Sequence, residues 1–182
     1  IYNGPVPAFG AADARLLIIG LAPGLKGANR TGRPFTGDHA GDLLYPTLQK
    51  FGFAEGKYDA NINDSITLKK TIITNAVRCV PPQNKTIGAE EKNCRPFLIE
   101  QIEKLPTISI ILALGLVAHN AVLSTYNEKK TNYKFAHNKI HQLSNGLSLI
   151  DSYHCSRYNT NTKRLTTKMF EDVFKNITDY IK

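Results

Sequence analysis

Leu16-Leu-Ile-Ile-Gly20 runs directly into Leu21-Ala-Pro-Gly-Leu-Lys-Gly-Ala-Asn-Arg-Thr-Gly-Arg-Pro-Phe-Thr-Gly-Asp38. The first five residues are unbroken by a polar side chain, as in a strand buried on both faces. Pro23-Gly24 has the order a type II turn needs. Beyond the loop, Asp42-Leu-Leu-Tyr-Pro-Thr-Leu-Gln-Lys50 is amphipathic and predicts a helix from about Gly41 to Phe51. Strand, long loop, helix is the repeating unit of α/β folds. In such folds ligands bind in loops beyond the carboxyl ends of parallel strands.

The rest of the chain repeats this order. Thr71–Thr74 predicts a second strand, followed by the loop Asn75–Lys85 with its Pro81-Pro82 stop. The next helix is expected to place Pro96 in its first turn, with Phe97, Leu98, Ile102 and Leu105 on one apolar face. Ile108–Leu114 predicts a third strand, and Gly115 opens a helix to about Tyr126. Leu147–Tyr153 predicts the fourth strand, followed by the loop His154–Arg164. Thr166 is placed to cap a last helix whose stripe of Leu165, Met169, Phe170, Val173, Phe174 and Ile177 is core. Residues 52–70 read as a polar connection and residues 127–137 as a surface excursion. Four alternations predict an α/β fold: a three-layer α/β/α sandwich around a small parallel sheet of about four strands. One domain over residues 1–182 is expected. The chain opens at Ile1 rather than Met, so a preceding segment is expected too.

The chain carries 23 Lys and Arg against 15 Asp and Glu, a net charge of +8. That balance favours an anionic partner such as nucleic acid. No run reaches membrane-spanning length. Three cysteines do not make a disulfide framework, which points to a reducing, cytoplasmic setting. The Gly-rich loop has neither the Gly-Lys-Ser/Thr ending of a phosphate loop nor the dinucleotide fingerprint, so no nucleotide cofactor is expected. A monomer is expected.

Parallel strands bring three loops to one sheet edge: Gly20–Asp38, Thr74–Lys85 and Asp151–Thr166. Together they resemble the motifs of the uracil-DNA glycosylase superfamily, and its family 5, the B-type iron–sulfur glycosylases, in particular. The resemblance runs from about Pro5 to the end of the chain. It implies excision of uracil, and of other deaminated or damaged bases such as hypoxanthine, by hydrolysis of the N-glycosidic bond in DNA. The target base is flipped out of the duplex for this chemistry.

Residue by residue, the resemblance gives Phe35 the stacking role beneath the base. Asn75 reads the base edge or orients water, and His154 donates to the base oxygen as negative charge develops there. Gly20, Ala22 and Pro23 shape the base pocket without a carboxylate in the opening turn. Asp38 is then the acid that acts on water or on the cationic sugar, although an Asp before a helix is also an ordinary cap, and Asp42 is a rival for both roles. Arg157 and Asn159 flank the position of the minor-groove wedge. Lys26, Arg30, Arg33, Lys85, Lys163 and Arg164 are expected to meet phosphates. Cys79 and Cys94 match two of the four ligands of a [4Fe–4S] cluster. Cys155 stands where many relatives have Pro and is not assigned as a ligand. His137 and His141 have metal-like spacing only on a helix, and their context does not support a site. Two alternatives stay open: a nucleic-acid-binding relative without activity, and a glycosylase specialised for deaminated purines.

Overall fold

The structure is a computed structural model that describes residues 2–181; positions 1 and 182 of the expected domain lie outside the described residues. In chain order the strands are β1 (Phe9–Gly10), β2 (Leu16–Gly20), β3 (Ala54–Glu55), β4 (Thr67–Leu68), β5 (Thr71–Asn75), β6 (Ile110–Leu114), β7 (Ile140–Gln142) and β8 (Ser148–Ser152). The helices are α1 (Ala28–Thr31), α2 (His39–Lys50), α3 (Gly88–Glu103), α4 (Leu116–Thr125), α5 (Arg157–Asn161) and α6 (Thr167–Ile181).

The four buried strands form the parallel centre of the sheet in the order β5-β2-β6-β8. Ile18 sits between Ile73 and Leu112, and Ile111 lies opposite Leu149. Side chains alternate across the sheet, as a period of two requires. Leu16 and Ile18 join Leu44 and Leu48 of α2 and Phe170 and Phe174 of α6 on one face. Leu17 and Ile19 join Leu98 and Ile102 of α3 and Val122 of α4 on the other. The result is the expected α/β/α sandwich, with the four carboxyl ends and their loops at one edge. Thr166 caps α6 by accepting from the Met169 N–H at 3.2 Å. Among the described residues no helix is long and apolar enough to cross a membrane.

The sheet is larger than expected. Two short antiparallel strands, β1 beside β5 and β7 beside β8, bring it to six among the described residues. Neither has an apolar run of its own; main-chain pairing to an already buried neighbour holds each in place. Residues 52–70 are not a plain connection, because β3 and β4 pair there. Pro96 lies deep inside α3 rather than in its first turn. It gives up the hydrogen bond to the Lys92 carbonyl, a loss tolerated on a surface helix whose start is secured where Glu90 accepts from the Ile87 N–H at 3.0 Å. Phe97 faces solvent instead of the core. The long first loop and the last loop each contain a short helix, α1 and α5, that local pattern does not reveal.

Candidate active site

At the carboxyl edge of the sheet lies a cavity of about 510 Å³. The turn after β2 contributes Ala22, Pro23, Gly24 and Lys26, and the far end of the same loop contributes Phe35 and Asp38. Asn75 enters from the end of β5, and His154, Ser156 and Arg157 enter from the loop after β8. Three loops distant in sequence therefore build one pocket, because parallel strands deliver them to the same edge. His39 at the start of α2 ties two walls together through its Nε2, 2.8 Å from Thr160 Oγ1 of α5.

Phe35 forms an apolar wall of this cavity, 6% exposed, its ring centroid 5.9 Å from that of His154. Its backbone is left-handed, with φ at 53°, a conformation that non-glycine residues hold only when their surroundings over-determine it. Here they do. Tyr45 Oη donates to the Pro34 carbonyl at 2.7 Å, and Tyr58 Oη donates to the Phe35 carbonyl at 3.3 Å. The two tyrosine rings stack 4.5 Å apart. Beside them Arg33 makes a bidentate pair with Asp64, at 2.7 and 2.8 Å, and lies over the rings of Phe9, Tyr45 and Tyr58.

This corrects the expectation that Arg33 contacts phosphate. Its side chain and that of Asp64 are only 5% and 0% exposed. Burial alone would raise the Asp64 carboxyl, but the Arg33 guanidinium and the Asp59 N–H hold it below the usual carboxylate range. Removing one member of such a pair leaves a buried charge unmatched. Arg33→Ala is expected to cost about 3–5 kcal/mol of stability, to be measured by urea unfolding.

Asp38 is both the cap of α2 and a wall of the cavity. Its Oδ1 accepts from the Gly41 N–H at 3.1 Å. Its Oδ2 is packed so closely against Gly27 that a Cβ there would lie 2.2 Å away. Burial, helped by the nearby charge of Asp42, raises its pKa above the ordinary carboxylate value. Asp42 itself is exposed and does not line the cavity. Beneath lies Cys155, fully buried, whose thiol is pushed up by burial and by the Asp38 charge and so stays protonated.

His154 opens onto the cavity, yet burial lowers its pKa to about 4. At neutral pH it is an uncharged imidazole, and among the described residues its ring makes no hydrogen bond to the protein. Asn75 is 5% exposed, and its Oδ1 is buried with no hydrogen-bond partner. A buried orphan acceptor costs about 1–3 kcal/mol unless something supplies a donor. Gly20 makes this approach feasible, because a Cβ there would sit 2.5 Å from both Asn75 Oδ1 and Phe35 Cζ. Gly20→Ala is expected to push these groups apart, at a cost of about 1–3 kcal/mol in stability and with loss of ligand binding. A thermal melt and an activity assay on the same preparation check both.

Of the other expected site residues, Ala22, Pro23 and Arg157 line the cavity, while Asn159 does not. Its Nδ2 donates to the His154 carbonyl at 2.9 Å and so braces the loop. Lys26, Arg30, Lys85, Arg157, Lys163 and Arg164 are all exposed, and Arg164 lies 4.8 Å from the Tyr153 ring. Cys79 is exposed in the turn after β5, Cys94 is half-buried on α3, and both thiols are free. A four-iron cluster takes four ligands, usually thiolates; these two have the right chemistry and would supply half the set. His141 has closer company than expected: with His119 and Asp151 it forms a buried group whose ligand-type atoms lie within 4.8 Å of one another. Asp151 Oδ1 is 2.7 Å from His119 Nδ1 and its Oδ2 is 2.8 Å from His141 Nε2, which binds α4, β7 and β8 together. The supporting residues Tyr45, Tyr58 and Asp64 escape sequence reading, because nothing local marks a Tyr or Asp that packs against a loop far away in the chain.

The fold and site define a class: an α/β/α domain whose carboxyl-edge cavity offers an aromatic wall, an unpaired amide, a neutral imidazole and one desolvated acid. Comparison with known proteins narrows the class. The model of the uracil DNA glycosylase superfamily matches residues 7–178. A type-5 uracil-DNA glycosylase of Thermus thermophilus is 43% identical over 169 residues, covering 93% of this chain and 77% of that protein. Similar type-5 proteins of Mycobacterium tuberculosis and Pyrobaculum aerophilum are 39% and 36% identical, over 96% of this chain and over 66% and 75% of their own lengths. The chain belongs to the uracil-DNA glycosylase superfamily, in its type-5 branch.

Proposed function

We propose that this chain hydrolyses the N-glycosidic bond of uracil in DNA and leaves an abasic site. The observation that carries the reading is the convergence of Asn75, His154 and Asp38 beside Phe35 in one cavity. A flipped uracil stacks on Phe35. Its N3–H satisfies the orphan Asn75 Oδ1, and the Asn75 Nδ2 faces the adjacent carbonyl. As the bond breaks, its electron pair moves into the base, and the neutral His154 donates to the base oxygen where charge gathers. A neutral donor suits this task because it does not have to surrender its proton. Asp38, in its ionised form, lies opposite the developing sugar cation and takes the proton of the attacking water. The exposed cations Lys26 and Arg157 at the mouth hold phosphates, and Tyr158, 73% exposed between Arg157 and Asn159, fills the gap left by the flipped base.

The test is an abasic-site assay on uracil-containing duplex and single-stranded DNA. Cleavage at the uracil position after alkali supports the reading. Salt-sensitive binding without abasic product favours a silent nucleic-acid-binding relative instead. A wider base range is favoured by the opening turn, where Ala22, Pro23 and Gly24 bring only small side chains to the cavity; hypoxanthine and xanthine substrates in the same assay decide it. Cys79 and Cys94 are proposed ligands of an iron–sulfur cluster, which would clamp the turn after β5 to α3 and take no part in the bond cleavage. Iron and acid-labile sulfide content of Cys79→Ser and Cys94→Ser proteins tests this.

A further inference from the structure

His137 lies outside the cavity, yet its ring connects the residue before His154 to the last helix. Its Nδ1 accepts from the Tyr153 N–H at 3.0 Å, and its Nε2 donates to the Met169 carbonyl of α6 at 3.2 Å. The ring also stacks on Tyr153, with centroids 4.9 Å apart and planes 16° from parallel. Only one protonation state satisfies both bonds. A main-chain N–H needs a lone pair at Nδ1, and a main-chain carbonyl needs a proton at Nε2. His137 must therefore be neutral and in its Nε2–H form.

The strand bonding of β8 stops at Ser152. The Tyr153 N–H is thus the last main-chain donor before His154, and a side chain rather than a strand holds it. From this geometry we infer that His137 is a positioning residue for His154: it fixes the backbone that aims the imidazole into the cavity. The inference rests on the glycosylase reading only for its kinetic consequence.

Protonation of His137 would set an N–H against the Tyr153 N–H and break the bond. Burial lowers the His137 pKa and protects the neutral form, while the charge of Asp172 on α6 works in the opposite direction. On the β8 side the ring faces Tyr153, which carries Arg164 over its own ring.

Two conservative variants separate positioning from simple structural support. In His137→Asn the side-chain oxygen takes the place of Nδ1 and keeps the bond to Tyr153. In His137→Gln the amide reaches the place of Nε2 and keeps only the bond to Met169. The expected result is near wild-type kcat for the Asn variant and kcat about 10- to 100-fold lower for the Gln variant, with KM little changed in both. Amide spectra of the same proteins should show the Tyr153 and His154 resonances displaced in the Gln variant alone. In the wild type those two resonances should move in step with protonation of the His137 ring as pH falls, a measurement that stands even if the Gln variant does not fold. Equal effects of the Asn and Gln variants, or Tyr153 and His154 amides indifferent to His137 protonation, would overturn the inference. Wild-type protein without excision activity overturns the glycosylase reading instead, and the amide spectra then still decide the positioning.

Discussion

Asp38→Asn is expected to lower uracil excision by about 10²–10⁴-fold while leaving the protein as stable as the wild type or more so. The two halves of this result come from two different jobs of one side chain. As the cap of α2, Asp38 accepts from the Gly41 N–H, and Asn caps a helix about as well as Asp. As the acid of the cavity it must carry a charge, and Asn cannot. Folding raises the Asp38 pKa, so the native state holds this proton more tightly than the unfolded chain. Stability from the group is then greatest below the ordinary carboxylate range and falls as pH rises through the folded pKa. Above the folded pKa the wild type bears that cost and the Asn variant does not.

Asp38→Ala separates the jobs further. It removes the charge and the cap together, and the cap is worth about 0.5–2 kcal/mol. Single-turnover excision and thermal midpoints of the three proteins check the pattern. The acid limb of the wild-type rate should lie above the ordinary carboxylate range, where Asp38 titrates. An Asn variant that retains excision within a few-fold would remove Asp38 from the chemistry.

His154→Ala is expected to lower the excision rate by about 10²–10³-fold, the usual loss on removing one donor to a developing anion, with DNA affinity nearly unchanged. The donor acts on charge that exists only as the bond breaks, so the loss belongs to kcat. Burial lowers the His154 pKa to about 4, against an ordinary value near 6.5. Between these values the unfolded chain binds the proton and the native state does not, so stability rises with pH across that window and is lost as pH falls through it. The Ala variant lacks this term, and acid unfolding of the folded variant should begin at lower pH than in the wild type. A variant that weakens DNA binding as much as it slows excision would mark His154 as a general binding contact instead.

Much of the architecture was legible in local pattern. Leu16–Gly20 and Ile108–Leu114 are dominated by apolar residues, as in a doubly covered strand, and with Leu147–Tyr153 they supply the buried strands Leu16–Gly20, Ile110–Leu114 and Ser148–Ser152 of the parallel centre of the sheet. Once those strands are parallel, their loops must share an edge, and Phe35, Asp38, Asn75 and His154 do line one cavity there. Other assignments failed where sequence shows residue type but not partner. Arg33 looks like its exposed cationic neighbours, and only Asp64, 31 positions away, turns it into a buried strut. Asn159, read from sequence only as a neighbour of the wedge, also holds the His154 carbonyl.

Local periodicity therefore dictates the layered fold, the edge at which chemistry gathers and the residue types present there, because burial and turn formation are written in it. Which polar groups are free to act follows from packing in three dimensions. It leaves Asn75 Oδ1 unpaired, keeps His154 neutral, desolvates Asp38, and ties Arg33, Tyr58 and His137 to backbone or side chains remote in sequence. Protonation state and hydrogen-bond satisfaction depend on what lies within a few ångströms in space, and neighbours along the chain do not report that.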